Sequence, residues 1–244
     1  MLEEKIDLDY QAVQKFFEER GANKLLDNKY NYVLFQDDNP ELAVRRDAME
    51  KEKIGALLWL QGGHRVLDIG CGIGRWGEYL LEKNVYYVGM DASSHMIQMA
   101  EENLKSFTQK MLIVGMFQEL LPKLKEASET APFDMIFVNG VFMYLNDEDY
   151  RKALSDIHTV CAKECEIYVK ESMGTDCRLT LNQIYSESLS QSYSAIYRSI
   201  AEYRASLTEE FGRDFEMVSE GRLFDKELEN RKETVDYYFL WRRS

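Results

Sequence analysis

An α/β fold, built on a doubly wound and mostly parallel sheet, is predicted by three observations. From residue 65 onward, short runs rich in β-branched or aromatic residues alternate with longer stretches at helical spacing. A glycine-rich turn follows the first run, and an acid closes the second.

The elements follow in chain order. Leu8, Val13, Phe16 and Phe17 recur at helical spacing over 8–20, as do Leu42, Val44, Met49, Ile54, Leu57 and Leu58 over 41–60. The aromatic, turn-rich segment 28–41 joins them. RVLDIG, YYVGMD, KMLIVG and FDMIFVNG then read as strands, and CEIYVKE at 165–171 as a fifth. Helices are expected between them at 75–83, 94–106 and 147–162, the last capped by Asn146 or Asp147 with acids in its first turn. Strands separated by helices need crossovers, so they pair in parallel and both sheet faces are covered. A further helix is expected over 191–211, where Ile196, Ile200, Tyr203 and Leu207 form one apolar stripe and Tyr193, Tyr197 and Arg204 an adjoining polar-aromatic strip. DFEMVSEGRLF and TVDYYFLWRR near the C-terminus read as two more strands.

Composition narrows the function. A chain of 244 residues with 45% hydrophobic side chains fits one globular domain with an appendage. Its formal charge of −13 repels phosphate backbones, which argues against a nucleic-acid partner. The longest apolar runs fall far short of a bilayer span, which argues against a membrane partner. The acidic N-terminus lacks the pattern of a signal peptide, and the four cysteines (Cys71, Cys161, Cys165, Cys177) form no CxxC pair, so a cytoplasmic chain with free thiols and no metal is expected. Nothing in the sequence specifies an oligomeric state.

The chemistry-bearing motif is Asp68-Ile-Gly70-Cys-Gly72-Ile-Gly74, an acid at a strand end that opens a glycine turn before a helix. Together with Asp91 at the end of the next strand, it resembles the first motifs of class I S-adenosylmethionine-dependent methyltransferases, and the likeness extends over residues 41–172. The resemblance implies a seven-stranded Rossmann-like sheet with a C-terminal hairpin and S-adenosyl-L-methionine as cofactor. It places Asp68 near the methionine amino end, Gly70, Gly72 and Gly74 along the cofactor, and Asp91 on the ribose hydroxyls. Ala92, Met96 and Trp76 join that wall, Met116 and Phe117 pack on the adenine, and Asn139 begins the fourth motif. Arg46 and Arg75 are alternatives for the methionine carboxylate. Gly72-Ile-Gly74-Arg-Trp-Gly77 also satisfies the dinucleotide pattern GxGxxG, but a carboxylate at Asp68 suits an ammonium and repels a pyrophosphate.

For the acceptor, Tyr144 and Glu171 leave adjacent strands toward one edge and are the catalytic candidates, while Tyr32, Arg178, Tyr193, Tyr197 and Arg198 are the substrate-binding ones. Arginines in an acidic chain, Arg204 included, point to an anionic or sugar-like small molecule methylated on oxygen. The alternatives are N-methylation of an amino sugar or small metabolite, and a catalytically silent binding partner. The 178–203 region also resembles, faintly, methyltransferases of surface-polysaccharide and natural-product building blocks. The domains expected are a helical cap at 1–60 and a core at 61–244 with a helical lid at 173–212.

Overall fold

The computed structural model describes residues 6–22, 28–35, 39–186, 189, 191–229 and 231–244. The acidic start at 1–5, residues 36–38 of the turn-rich segment, and residues 187, 188 and 190 of the expected lid lie outside the described residues.

In chain order the elements are α1 (Tyr10–Ala22), α2 (Asn31–Leu34), α3 (Pro40–Gly55), β1 (Arg65–Ile69), α4 (Arg75–Leu81), β2 (Tyr86–Asp91), α5 (Ser94–Asn103), β3 (Lys110–Val114), α6 (Leu120–Glu126), β4 (Phe133–Asn139), α7 (Asp147–Val160), β5 (Cys161–Gly174), β6 (Leu179–Ser186), β7 (Gln191–Tyr197), α8 (Ile200–Phe211), β8 (Glu216–Arg222) and β9 (Thr234–Arg243). Short 3₁₀ turns at Phe117–Glu119 and Phe142–Tyr144 follow β3 and β4. Seven strands form one sheet in the order β3-β2-β1-β4-β5-β9-β8. β1 to β5 pair in parallel, and β9 closes antiparallel on β5 and β8. The chain winds outward from β1 to β3 and then returns to β4, so a crevice opens at the carboxyl edge between β1 and β4, where open α/β sheets bind ligands.

Strand alternation sorts the core onto two faces. Leu67, Ile69, Ile136 and Val138 pack with Leu154, Ile157, Leu207 and Phe211 of α7 and α8. Val66, Met135, Phe137 and Tyr168 pack with Ile54 of α3 and with Trp76 and Leu80 of α4. Burial on both faces is why these strands read as continuous apolar runs.

The helix expected over 191–211 is a correction. Residues 191–197 form β7, which pairs antiparallel with β6, and the helix starts only at Ile200. The boundary is a capping box: the Ser199 hydroxyl accepts from the Glu202 N–H at 3.2 Å, and the Glu202 carboxylate accepts from the Ser199 N–H at 2.8 Å. The apolar stripe ran across this boundary because Ile196 on the strand and Ile200 on the helix are buried or half-buried for different reasons. α8 does not form a lid either, since Tyr203, Leu207 and Phe211 are fully buried in the core. The β6–β7 hairpin instead packs on α1 and on the turn after β4, through Phe16, Met143, Tyr144, Tyr193 and Tyr197.

Candidate functional site

The glycine turn leaves β1 with Gly70, Gly72 and Gly74 all at positive φ (72°, 54° and 75°), which an L side chain rarely adopts. Side-chain volume is excluded as well: a Cβ on Gly70 would stand 2.2 Å from Val141, and one on Gly72 2.7 Å from Val33. The turn is tied to β2 by Asp91, whose carboxylate accepts from the N–H of Gly72 and of Ser93, both at 2.9 Å.

A cavity of about 220 Å³ runs along the carboxyl edge from this turn. Its first end is lined by Asp68, Gly70, Gly72, Trp76, Asp91, Ala92 and Met96, with Met116 and Phe117 beyond them. α1 and α2 cover it through Phe17, Val33 and Phe35. α1 is held there by Glu18, which accepts from the Ser94 N–H at 2.7 Å and pairs with His95 at 2.5 Å. Burial pushes the Asp68 carboxyl up to about 6, against the pull of the Tyr87 hydroxyl that donates to it at 2.7 Å. Burial likewise raises Asp91 to about 6. A cationic or hydroxyl-bearing ligand would return both to the ionised form.

Asn139 and Gly140 at the end of β4 form the middle of the cavity, and the far end is lined by Tyr144, Tyr193, Tyr197, Lys170, Ser172, Asp236 and Arg231. Three phenols form a chain there: Tyr144 and Tyr193 share a hydrogen bond of 2.8 Å, Tyr197 donates to Tyr193 at 3.4 Å, and the Arg231 guanidinium donates to Tyr197 at 3.1 Å. Burial, reinforced by neighbouring phenols, raises Tyr144 and Tyr193 well above the usual phenol range, so they stay protonated and serve as hydrogen-bonding groups. Alongside them, Asp236 pairs with Lys170 at 2.7 Å and with Arg46 at 3.5 Å. Burial works to raise the Asp236 carboxyl, but the two cations outweigh it and hold it below the usual range.

Several expected site residues do other work. Glu171 is fully buried, and its carboxylate accepts from the N–H groups of Val141, Phe142 and Met143 at 2.8 to 3.1 Å, so it anchors the turn after β4. Burial raises it to about 7 while those three donors oppose the shift. Arg198 is 2% exposed and is engaged by the carbonyls of Phe142 and Leu145 and by Asp147, and Arg178 also binds Asp147. Arg204 pairs with Glu220 on β8. These arginines satisfy the chain's own carboxylates and carbonyls, so they are struts for the turn and the sheet. Gly74 caps α4 and packs on Leu104 and Ala100 away from the cavity, and Tyr32 packs with Ile73 and Met96. Trp76 is mainly core, against Phe137 and Tyr168. Arg75 is consumed by Asp47 and Glu50, and Arg46 lies at the β9 end beside Asp236 and the Leu228 carbonyl.

Lys170, Asp236 and Arg231 were not anticipated. A signal existed for two of them: a charge inside an apolar strand, as in CEIYVKE and TVDYYFLW, must find a partner when buried, and here the two find each other.

Comparison with known proteins finds relatives of the same fold. Residues 66–164 match the family described as a methyltransferase domain. The chain is 29% identical over 126 residues to phosphoethanolamine N-methyltransferase 1 of Triticum aestivum, an alignment that covers 52% of this chain and 25% of that protein. Among solved structures, it superposes with a TM-score of 0.66 on an S-adenosylmethionine-dependent methyltransferase of Leishmania major (21% identity, 95% of this chain, 82% of that one). It superposes at 0.72 on phosphoethanolamine N-methyltransferase 1 of Haemonchus contortus, solved with phosphoethanolamine and S-adenosylhomocysteine (16% identity, 96% of this chain, 48% of that one). The chain thus spans a quarter of the wheat protein and about half of the nematode one. At these identities the structural likeness establishes the fold.

Proposed function

We propose that this chain is an S-adenosylmethionine-dependent methyltransferase acting on a small acceptor, anionic or sugar-like, held at the tyrosine end of the cavity, a reading supported by the match of residues 66–164 to the family described as a methyltransferase domain. The observation that carries the reading is one continuous cavity, with the glycine turn and Asp91 at one end and Tyr144, Tyr193, Tyr197, Lys170 and Arg231 at the other. The cover of α1 and the hairpin favours a small molecule over a macromolecule.

The residues fit the cofactor. Asp91 keeps lone pairs for ribose hydroxyls after accepting two backbone N–H groups, Asp68 lies under the turn as a carboxylate for an ammonium, and a Cβ on Gly140 would meet nothing within 4 Å, which leaves open space beside Asn139. When bound, S-adenosylmethionine supplies a methyl group on a sulfonium that needs no acid to depart. The protein's share is then to orient the acceptor and exclude water. Tyr144 holds the acceptor by its neutral hydroxyl, and Glu171 keeps the turn that carries Tyr144 in place. With Tyr144 held protonated and Glu171 committed to the turn after β4, the reading favours a reacting atom that attacks without first losing a proton, such as an anionic oxygen. A second reading, transfer to the amine of a small phosphorylated compound, is favoured by the wheat and nematode relatives, which carry phosphoethanolamine N-methyltransferase in their names.

Calorimetry with S-adenosylhomocysteine tests the cofactor: saturable heat is expected, and no heat while NADH binds would overturn it. A methyl-transfer screen over phosphorylated sugars, phosphorylated amines, amino sugars and small acids, read by product mass and fragmentation, tests the acceptor and separates oxygen from nitrogen.

A further inference from the structure

We propose that Glu50, a residue of α3 outside every motif, is a positioning residue: it fixes the side-chain amide of Asn139 so that the carbonyl oxygen faces the cavity, as an acceptor for the ammonium at the amino-acid end of the cofactor. The inference rests on the cofactor reading above.

Glu50 is fully buried on α3, which also packs Ile54 into the core. Burial of a carboxylate is costly unless its oxygens are paired, and here they are. One oxygen accepts from the Asn139 amide at 2.6 Å, from the Tyr168 hydroxyl at 3.2 Å and from the Trp76 indole at 3.3 Å. The other pairs with Arg75 at 2.7 Å, and Arg75 is held in turn by Asp47 at 2.9 Å. Such a network fixes the Glu50 carboxylate in orientation.

The consequence lies at Asn139. A primary amide has a donating end and an accepting end, and a carboxylate only accepts. Glu50 therefore takes the NH2 end, and the oxygen is left for the cavity, which Asn139 lines. The position is informative too. β1 and β4 pair with Ile69 opposite Val138, so the next step along the edge sets Asn139 beside Gly70, at the start of the glycine turn. Arg75, at the end of that turn, is bound to the same Glu50. One buried carboxylate thus links the turn that receives the amino-acid end of the cofactor to the side chain that faces it across the crevice. Without Glu50 the amide is free to rotate and to present its NH2, which repels an ammonium.

The test uses the full chain and two ligands measured by calorimetry, S-adenosylhomocysteine and 5′-methylthioadenosine, which keeps the adenosine and sulfur but lacks the amino acid. Glu50→Gln is expected to raise the dissociation constant of S-adenosylhomocysteine about 5- to 20-fold and to leave that of methylthioadenosine within about twofold. Asn139→Ala is expected to do the same, and the double variant to be no worse than Asn139→Ala alone, since the two act as a unit. Equal weakening of both ligands, or additive effects in the double variant, would make Glu50 a packing residue and overturn the inference. If Glu50→Gln does not fold, Asn139→Ala decides: unchanged selectivity between the two ligands also overturns it. Failure of the unsubstituted chain to bind S-adenosylhomocysteine would strike down the cofactor reading itself, an outcome distinct from the loss of selectivity in the variants.

Discussion

The two ends of the cavity are built in opposite ways. The glycine-turn end gathers residues from the carboxyl ends of adjacent parallel strands: Asp68 and Gly70 at β1, Asp91 at β2, Met116 after β3 and Asn139 at β4. Each lies in the last two residues of its strand or within two positions past it, so the sheet order alone brings them together. Besides the turn after β4 that carries Tyr144, the tyrosine end draws on α1, the β6–β7 hairpin, β5 and the segment before β9, which are far apart in the chain and not hydrogen-bonded neighbours of β1. The first end therefore takes its backbone shape from the sheet itself, whereas the second depends on struts between distant segments, such as Glu171 and Arg198. Four substitutions or conditions separate the two cases.

The largest effect is expected at a strut. Arg198→Ala leaves two carbonyls without their buried donor and Asp147 with Arg178, and should cost about 3 kcal/mol. For a chain of this size that corresponds to roughly 10 °C in thermal midpoint, read by differential scanning. S-adenosylhomocysteine affinity of the folded fraction should stay within about twofold. A normal midpoint with a lost acceptor affinity would return Arg198 to direct recognition.

At the other end, Asp91→Ala should weaken S-adenosylhomocysteine binding by about 1.5 to 3 kcal/mol and leave circular dichroism unchanged. An unaltered dissociation constant would reduce Asp91 to a brace for Gly72 and Ser93.

Next comes pH. Burial raises Asp68 and Asp91 to about 6 in the ligand-free chain, above their unfolded value of roughly 3.9. A raised acid favours the protonated folded form, so these two groups stabilise the ligand-free chain below about pH 4 and lose that contribution as pH rises through 6. Cofactor binding needs them charged and has the opposite sign: affinity should fall below pH 6 by about tenfold per unit for each group that must ionise, with protons released on binding near that pH. Calorimetry in buffers of different ionisation heat reads the release, and a flat profile from pH 7.5 to roughly pH 5 would contradict it.

The smallest effect is expected for Arg204→Ala. Its guanidinium is 42% exposed and pairs with Glu220 on the surface, so the loss should stay under about 1 kcal/mol, with cofactor affinity unchanged.

What the sequence determined by itself is the α/β alternation, the glycine turn and the acid one strand later, because each is encoded within a few contiguous residues whose torsions and burial answer to local chemistry. It also contained the Ser199-x-x-Glu202 signal that ends the false helix, although a period of 3.6 read across it concealed the boundary. Only the tertiary structure decided that Arg178 and Arg198 are struts, that Glu171 anchors a turn, that Lys170 meets Asp236, and that Glu50 orients Asn139. The physical reason is that a charged side chain carries the same chemistry whether it meets a ligand or a buried partner. Which of the two it meets depends on residues distant in the chain, 89 positions apart for Glu50 and Asn139, brought together by the packing of α3 against the sheet.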